Sequence, residues 1–502
     1  MDLFAQLAAG FAVSLTPMNL LTCLIGVVLG TAVGVLPGLG PTATISLLLP
    51  ITFRMDATAS IIMVSGIYYG AMYGGSITSI LVRIPGEAAS MVTCIDGYQM
   101  ARQGRAGAAL GIAAFGSFIA GVAATLGIAL VGPLLARVAL VFGPAEYAAL
   151  VLLGLILVTS VSDAPFVRSM IMVGLGLLAA AIGLDPITSS ERFTAGNPYL
   201  QDGLGVAVLA MGLFGIAEVL TLAERRSVAG PGAHEPKRWV ELLPTRADWR
   251  ESAAPIARGS VLGFALGLLP GGGALVASFA SYVVEKRLAR DPARFGHGAI
   301  AGVAGPEAAN NAAAQASFVP LLALGIPANV VMAVILGALM IHGIAPGPKL
   351  AQMQPQLFWG VIASMFVGNV MLVALNVPLV GLFVRLLRVP THYLAPLIVL
   401  FCVVGAYSLR GSAVDVALMG LFGVLGWGAR KIALDPAPFL LAFVLGALFE
   451  TSIRQALLIG IGNPAIFVTR PIAATLLALA ALVLLWPVVR WSLRRRARAP
   501  GP

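Results

Sequence analysis

Apolar runs near membrane length follow one another along almost the whole chain, parted by short polar stretches. In the first half they lie near Leu20 to Leu36, Thr58 to Ile84, Ala108 to Leu135, Tyr147 to Val161, Ser169 to Leu184 and Gly205 to Leu222. In the second they lie from near Val261 to Val284, then Ala312 to Ile326, Val330 to Ile341, Leu357 to Phe383, Tyr393 to Tyr407, Val414 to Trp427, Phe439 to Leu448 and Ile472 to Val489. A helix of about 20 apolar residues crosses a bilayer, so the pattern predicts an all-α polytopic membrane protein with about twelve transmembrane segments. Ile45 to Phe53 is only half that length and predicts a re-entrant piece.

Two of these runs are broken in the same way. Gly34-Val35-Leu36-Pro37-Gly38-Leu39-Gly40-Pro41-Thr42-Ala43-Thr44 holds prolines and glycines that make an unbroken helix improbable. Gly267, Pro270, Gly271 and Gly273 repeat the register of Gly34, Pro37, Gly38 and Gly40. A second pair of interruptions follows in the same order, Ile84-Pro85-Gly86-Glu87 and Ile326-Pro327-Ala328-Asn329. The chain therefore reads as a duplication with re-entrant or broken helices. In hydrocarbon, backbone freed by a break is tolerated only inside protein or beside a wet cavity, and paired breaks point to the substrate site of a transporter built from repeats.

Composition agrees with the pattern. The 502 residues are 59% hydrophobic and 10% charged, with a mean hydropathy of +0.96, whereas soluble domains carry about a quarter charged residues. The net charge of +10 lies in short basic clusters beside apolar spans, which fits the positive-inside rule and not nucleic-acid binding. The connector 224–255, the Lys286 to Arg294 loop, Arg385, Arg388 and the tail from Arg490 are placed in the cytoplasm on this ground. The basic Arg102 to Arg105 region stands opposite the nearly uncharged Gly343 to Gln356, so the halves are expected to be inverted repeats. The expected division is a first repeat 1–223, a polar connector 224–255, a second repeat 256–490 and a basic tail 491–502. Met1-Asp2-Leu3-Phe4 carries no basic stretch of the kind that opens a removable signal peptide.

Broken helices supply the first candidates for chemistry. Free carbonyls at Gly38, Gly40, Gly271 and Gly273 suit a hard cation such as Na⁺, and free N–H groups at half-helix N-termini suit a carboxylate. Thr42, Thr44, Ser76 and Ser278 add hydroxyls, although such groups often bond back to a helix carbonyl. Glu307, Asn310, Asn311 and Asn329 stand beside breaks in apolar territory, where a polar group is expensive and a functional candidate by default. Glu87 is a weaker candidate of the same kind. Glu307 follows Pro306, which predicts a place in the first turn of a helix, where capping alone would explain it. Asp96 and Arg83 read as flanking a membrane edge, and Tyr68, Tyr69 and Tyr73 as packing.

No GxxxxGK[ST], HExxH or GxSxG occurs, and the four histidines are scattered. An enzyme is not expected, and no cofactor; the alternative kept open is a membrane-embedded enzyme acting on a lipid-linked substrate through Glu307 and Asn310. Cys23, Cys94 and Cys402 form no CxxC pair and read as packing residues.

Taken together, Gly34 to Gly40, Gly66-Ile67-Tyr68-Tyr69-Gly70-Ala71-Met72-Tyr73-Gly74-Gly75-Ser76, Ile84 to Glu87 with Asp96-Gly97-Tyr98, and Gly302 to Asn311 with Gly325-Ile326-Pro327 resemble the large membrane subunit of tripartite tricarboxylate transporters, the TctA family. The resemblance covers nearly the whole chain. It implies a carrier of the bacterial inner membrane that imports a small organic carboxylate. It implies a coupling ion, Na⁺ or H⁺, and two partners: a small membrane subunit (TctB-like) and a periplasmic solute-binding protein (TctC-like).

Overall fold

Proline opens six of the helices and glycine or a left-handed residue closes several, so the breaks read from sequence become helix boundaries. The computed structural model describes residues 3–36, 39–161, 164–224, 239–271, 273–386 and 391–496. Pro37 and Gly38 of the first break, Gly272, Arg388, residues 225–238 of the connector and 497–502 of the tail lie outside the described residues.

The first half runs through α1 (Leu3–Ser14), α2 (Pro17–Val35), α3 (Pro41–Thr52), α4 (Ala57–Val82), a 3-10 turn (Ala88–Met91), α5 (Thr93–Arg102), α6 (Ala106–Ala139), α7 (Pro144–Val161) and α8 (Phe166–Ala180). It ends with α9 (Val206–Ala210), which passes through a π-turn (Met211–Ile216) into α10 (Ala217–Glu224). The second half runs through α11 (Arg246–Gly267), α12 (Gly273–Leu288), α13 (Ala301–Ala316), α14 (Phe318–Leu324), α15 (Val330–Ile341), α16 (Leu350–Met353), α17 (Pro355–Leu386) and α18 (Thr391–Arg410). It closes with α19 (Ala413–Lys431), α20 (Pro436–Ile459), α21 (Ile466–Thr469) and α22 (Pro471–Arg496). The strand content among the described residues is one pair, Gly183–Leu184 antiparallel to Glu191–Arg192.

Among the described residues, six helices are long and apolar enough to cross a membrane, among them Pro17–Val35, Ala106–Ala139 and Pro355–Phe383, and seven more are shorter and apolar. Leu126, Leu130 and Leu134 of α6 and Leu479, Leu482 and Leu485 of α22 stand exposed, an outward face that suits lipid and not water. The protein is a multi-pass membrane protein. Its α4 is long enough to span but rich in Gly, Ser and Tyr; residues Ala59 to Leu81 are all buried, so neighbouring helices and not lipid surround it.

The helices group into two compact units. One comprises Met1–Arg137 and Gly205–Lys431, the other Val138–Leu204 and Ile432–Pro502. In the first unit, α2 packs on α4 and α11 on α13 by the same device. A Cβ on Gly26, Gly30 or Gly34 would lie 2.3, 2.4 and 2.3 Å from the carbonyl oxygens of Met63, Ile67 and Ala71. On Gly259, Gly263 or Gly267 it would lie 2.3, 2.3 and 2.5 Å from those of Gly305, Ala309 and Ala313. Only hydrogen fits at these six positions, which lets backbones approach where no hydrophobic effect drives helices together. The two glycine triples keep the register first read from Gly34 and Gly267, 233 residues apart, and their partners keep a second one, 242 residues apart.

Buried amides cross-link the same unit: Thr125 Oγ1 donates to Gln315 Oε1 (2.5 Å), and Gln315 Nε2 to Asn369 Oδ1 (3.1 Å). In the second unit, α20 packs on α8, with Gly176 against the Phe439 carbonyl and Gly446 against Ala180. Ala145, Ala149, Ala456 and Ala473 form a small-residue core there.

Candidate functional site

Every element of the site lies in the first unit. At the first break α2 ends at Val35, and α3 starts at Pro41 after an N-cap, Gly40, that has no side chain to close the helix end. At the second, α11 ends at Gly267, and Gly271 (φ 79) and Gly273 (φ 45) take left-handed conformations that other residues rarely adopt. A Cβ added at Gly40 or at Gly273 would meet nothing within 4 Å, so both breaks face open space.

Each break is held by the second interruption of its own half. The Gly34 carbonyl lies so close to Gly86 that a Cβ there would stand 1.9 Å from it, and the Gly271 N–H donates to the Ala328 carbonyl (2.8 Å). The helices that leave the breaks cross over: α3 packs on α15 of the second half, and α12 on the 3-10 turn Ala88–Met91 of the first. The exits of α4 and α14 also match. Arg83 (φ 59) and Gly325 (φ 73) end those helices in the left-handed region, Ile-Pro follows, and Glu87 and Asn329 cap the next helical segment.

Glu307 sits where these elements converge. The expectation that Pro306 opens a helix is overturned: α13 begins at Ala301, Pro306 lies inside it, and Glu307 is fully buried mid-helix. Having no N–H, Pro306 leaves the carbonyl of Gly302, four residues before, without its helical donor. With Glu307 away from the helix end, capping no longer accounts for it. Instead Ser76 Oγ of α4 donates to Glu307 Oε2 (2.5 Å), and Thr93 Oγ1 of α5 donates to Glu307 Oε1.

Glu87 brings a second carboxylate. It forms a capping box with Ser90, whose hydroxyl also receives a bond from Ser79 Oγ (3.0 Å), while Glu87 Oε1 is buried without a partner. Asn310, about one helical turn on from Glu307 in α13, is fully buried, and neither its oxygen nor its nitrogen closes a hydrogen bond. Tyr73 Oη, Ser281 Oγ, Asn311 Oδ1 and Asn376 Oδ1 are likewise buried and unpartnered. Buried polar atoms are nearly always bonded, so open atoms on Glu87 and Asn310, close in the chain or fold to the bonded Glu307, point to a place for a further group. Behind Ser76 a cavity of about 20 Å³, enough for one water, is lined in part by Tyr73, Ser117 and Asn376. Among the described residues, neither Glu87 nor Glu307 forms an ion pair.

The remaining predicted residues divide. Thr44 spends its hydroxyl on its own helix, on the carbonyl of Gly40 (3.2 Å), and the Thr42 carbonyl accepts the hydroxyl of its neighbour one turn on, Ser46 (2.7 Å). Ser278 Oγ reaches across to the Pro306 carbonyl (3.1 Å), tying α12 to α13 one residue before Glu307. Asn311 Nδ2 bonds Ser117 Oγ (2.6 Å) and the Glu307 carbonyl (3.1 Å). Asn329 caps α15 through Met332 N–H and donates to Tyr68 Oη (3.1 Å). Gly38 lies outside the described residues.

Three site residues carried little or no sequence signal. Thr93 and Ser117 are ordinary hydroxyls until folding brings them to Glu307 and Asn311. Asp96, read as a membrane-edge residue, is fully buried and accepts Tyr282 Oη (2.9 Å) and the N–H groups of Gly296, Gly298 and Ala299 (2.9, 2.8 and 2.9 Å). It clamps the loop that leads into α13.

Comparison with known proteins places this arrangement in a family. The chain is 52% identical over 493 residues, 98% of each chain, to the uncharacterized 52.8 kDa protein in TAR-I ttuC' 3'region of Agrobacterium vitis. It is 54% identical over 231 residues, 45% of this chain and 96% of the relative, to the uncharacterized protein in TAR-II ttuC' 3'region of the same organism. No solved structure matches. The model of the tripartite tricarboxylate transporter TctA family matches residues 20–441, which includes both breaks, Glu87 and Glu307. The chain belongs to the tripartite tricarboxylate transporter TctA family.

Proposed function

We propose that the chain is the large permease subunit of a binding-protein-dependent secondary transporter. It imports a small di- or tricarboxylate across the bacterial inner membrane, driven by a Na⁺ or proton gradient. It works with a small membrane subunit (TctB-like) and a periplasmic solute-binding protein (TctC-like), which capture the solute and hand it over. The repeats 1–223 and 256–490 are inverted about the site, and the connector 224–255 and the C-terminus face the cytoplasm.

One observation carries this reading: two helices break at matching positions, and Gly40 and Gly273 at those breaks look onto open space. The first N–H groups of α3 and α12 have no intrahelical acceptor, and together with the helix dipole they favour a carboxylate there. No arginine is required for capture, because a soluble partner selects the anion.

The test is uptake by the protein reconstituted with both partners in liposomes. Citrate, or another carboxylate its binding protein accepts, should accumulate only under an inward Na⁺ or proton gradient. Uptake indifferent to both gradients would contradict the coupling, and no carboxylate uptake at all would contradict the function.

A further inference from the structure

We propose that Glu87, Glu307 and Asn310, with the hydroxyls of Ser76 and Thr93, hold the coupling ion: one monovalent cation, sodium or a proton. The inference rests on the transport reading and supplies what it leaves open, the residues that carry the driving ion.

Charge is the first argument. Glu307 is fully buried and Glu87 part-buried with its Oε1 hidden; Glu87 Cγ lies 3.0 Å from where a Cβ on Gly75 would stand, next to the Ser76 that bonds Glu307, and among the described residues no lysine or arginine pairs with either carboxylate. Buried charge of this kind is strongly unfavourable unless a counter-charge accompanies it. Arg83, the nearest arginine in sequence to Glu87, is turned to Tyr98, 5.8 Å over its ring. The other titratable groups near the pair, Tyr68 and Tyr73 of α4 and Cys94 of α5, offer no positive charge.

Donor chemistry is the second. The unpartnered atoms include two oxygens, Glu87 Oε1 and Asn310 Oδ1, and Asn310, fully buried, lies about one helical turn on from Glu307 in α13. Ser76 and Thr93 fix the Glu307 carboxylate by donating to it, which leaves lone pairs of their own oxygens for a cation. These groups form an all-oxygen set from four elements, α4, α5, α13 and the turn that opens at Glu87, as a hard cation prefers. If the ion is a proton, the same pair shares it, since two adjacent carboxylates do not both ionise readily.

The placement also explains coupling. Without the cation, two negative charges oppose a carboxylate arriving at the breaks; with it, one is cancelled. Cation and anion therefore raise each other's affinity, as linkage requires.

The test uses the purified full chain without partners or substrate. Choline chloride is replaced by NaCl or KCl at constant ionic strength, and the melting midpoint is followed. In the sodium case the midpoint rises saturably with Na⁺ and not with K⁺, and Glu87→Gln and Asn310→Ala each weaken the apparent Na⁺ affinity at least tenfold. In the proton case Na⁺ has no effect, but adding citrate in weak buffer draws protons onto the protein, and Glu87→Gln reduces the number taken up. The two variants are read separately, so failure of one to fold leaves the other. The assignment is overturned if neither response occurs, if K⁺ equals Na⁺, or if both variants respond as the wild type does. That failure alongside gradient-driven uptake in liposomes would remove only the ion site; loss of uptake itself would remove the transport reading.

Discussion

Single atoms decide what each glycine of the first unit can become. Gly34 has the Ala71 carbonyl 2.3 Å from where its Cβ would stand, whereas Gly40, six residues on, has nothing within 4 Å and an ordinary φ of −77°. Gly34→Ala should therefore force α2 and α4 apart, at about 1–3 kcal/mol of overpacking. Gly40→Ala should stay within about 0.5 kcal/mol of the parent, as substitutions in open positions do. Thermal unfolding of the detergent-purified variants checks both; equal losses would mean that the α2–α4 backbone contact is absent. The sequence marked both glycines as parts of one break and could not tell them apart, because the difference lies in α4, far along the chain. The same holds for Glu307. Its apolar surroundings announced it, but its hydroxyl donors come from α4 and α5, which no local pattern connects to it.

Helices and their ends were the most legible part of the molecule. Gly and Pro at the breaks, Asp56 capping α4 and Asn329 capping α15 each fix a boundary by local chemistry alone. Pro306 misled for a physical reason: proline is commonest at a helix start, whereas here α13 opens five residues earlier, at Ala301. A polar example of element-level design stands in the second unit. Asp185, at the hairpin after α8, accepts the N–H groups of Thr188 and Ile187 and both oxygens meet Arg454 of α20. Those bonds, the backbone donors first and then Arg454, hold its carboxyl well below the usual aspartate range against the opposing effect of burial. A depressed carboxyl stabilises the folded state above its unfolded pKa, and that contribution is lost as pH falls through the aspartate range toward the lower folded value. Melting midpoints measured downward from pH 6 should therefore fall more steeply for the wild type than for Asp185→Asn, which starts lower. Parallel curves would show that the hairpin contributes no such linkage.

At the scale of the whole chain, composition alone made a multi-pass helical membrane protein legible, and duplicated breaks made the place of the site legible. Which helices group together was not. Stretches 138–204 and 432–502 form a unit of their own, drawn from both halves of the sequence, and their apolar patterns look like those of any other span. Among unbroken spans, nothing in a single line of residues tells one that packs against the site from one that does not.

The account stands on the two breaks facing one substrate-filled space. Cysteines at Gly40 and Gly273, in a chain whose Cys23, Cys94 and Cys402 are replaced, report on it directly through labelling by a water-soluble maleimide. Both positions should label, and saturating citrate, or the carboxylate accepted by the binding protein, should slow labelling of both together. Failure of either cysteine to label, or protection of one with the other unaffected, would contradict a shared site.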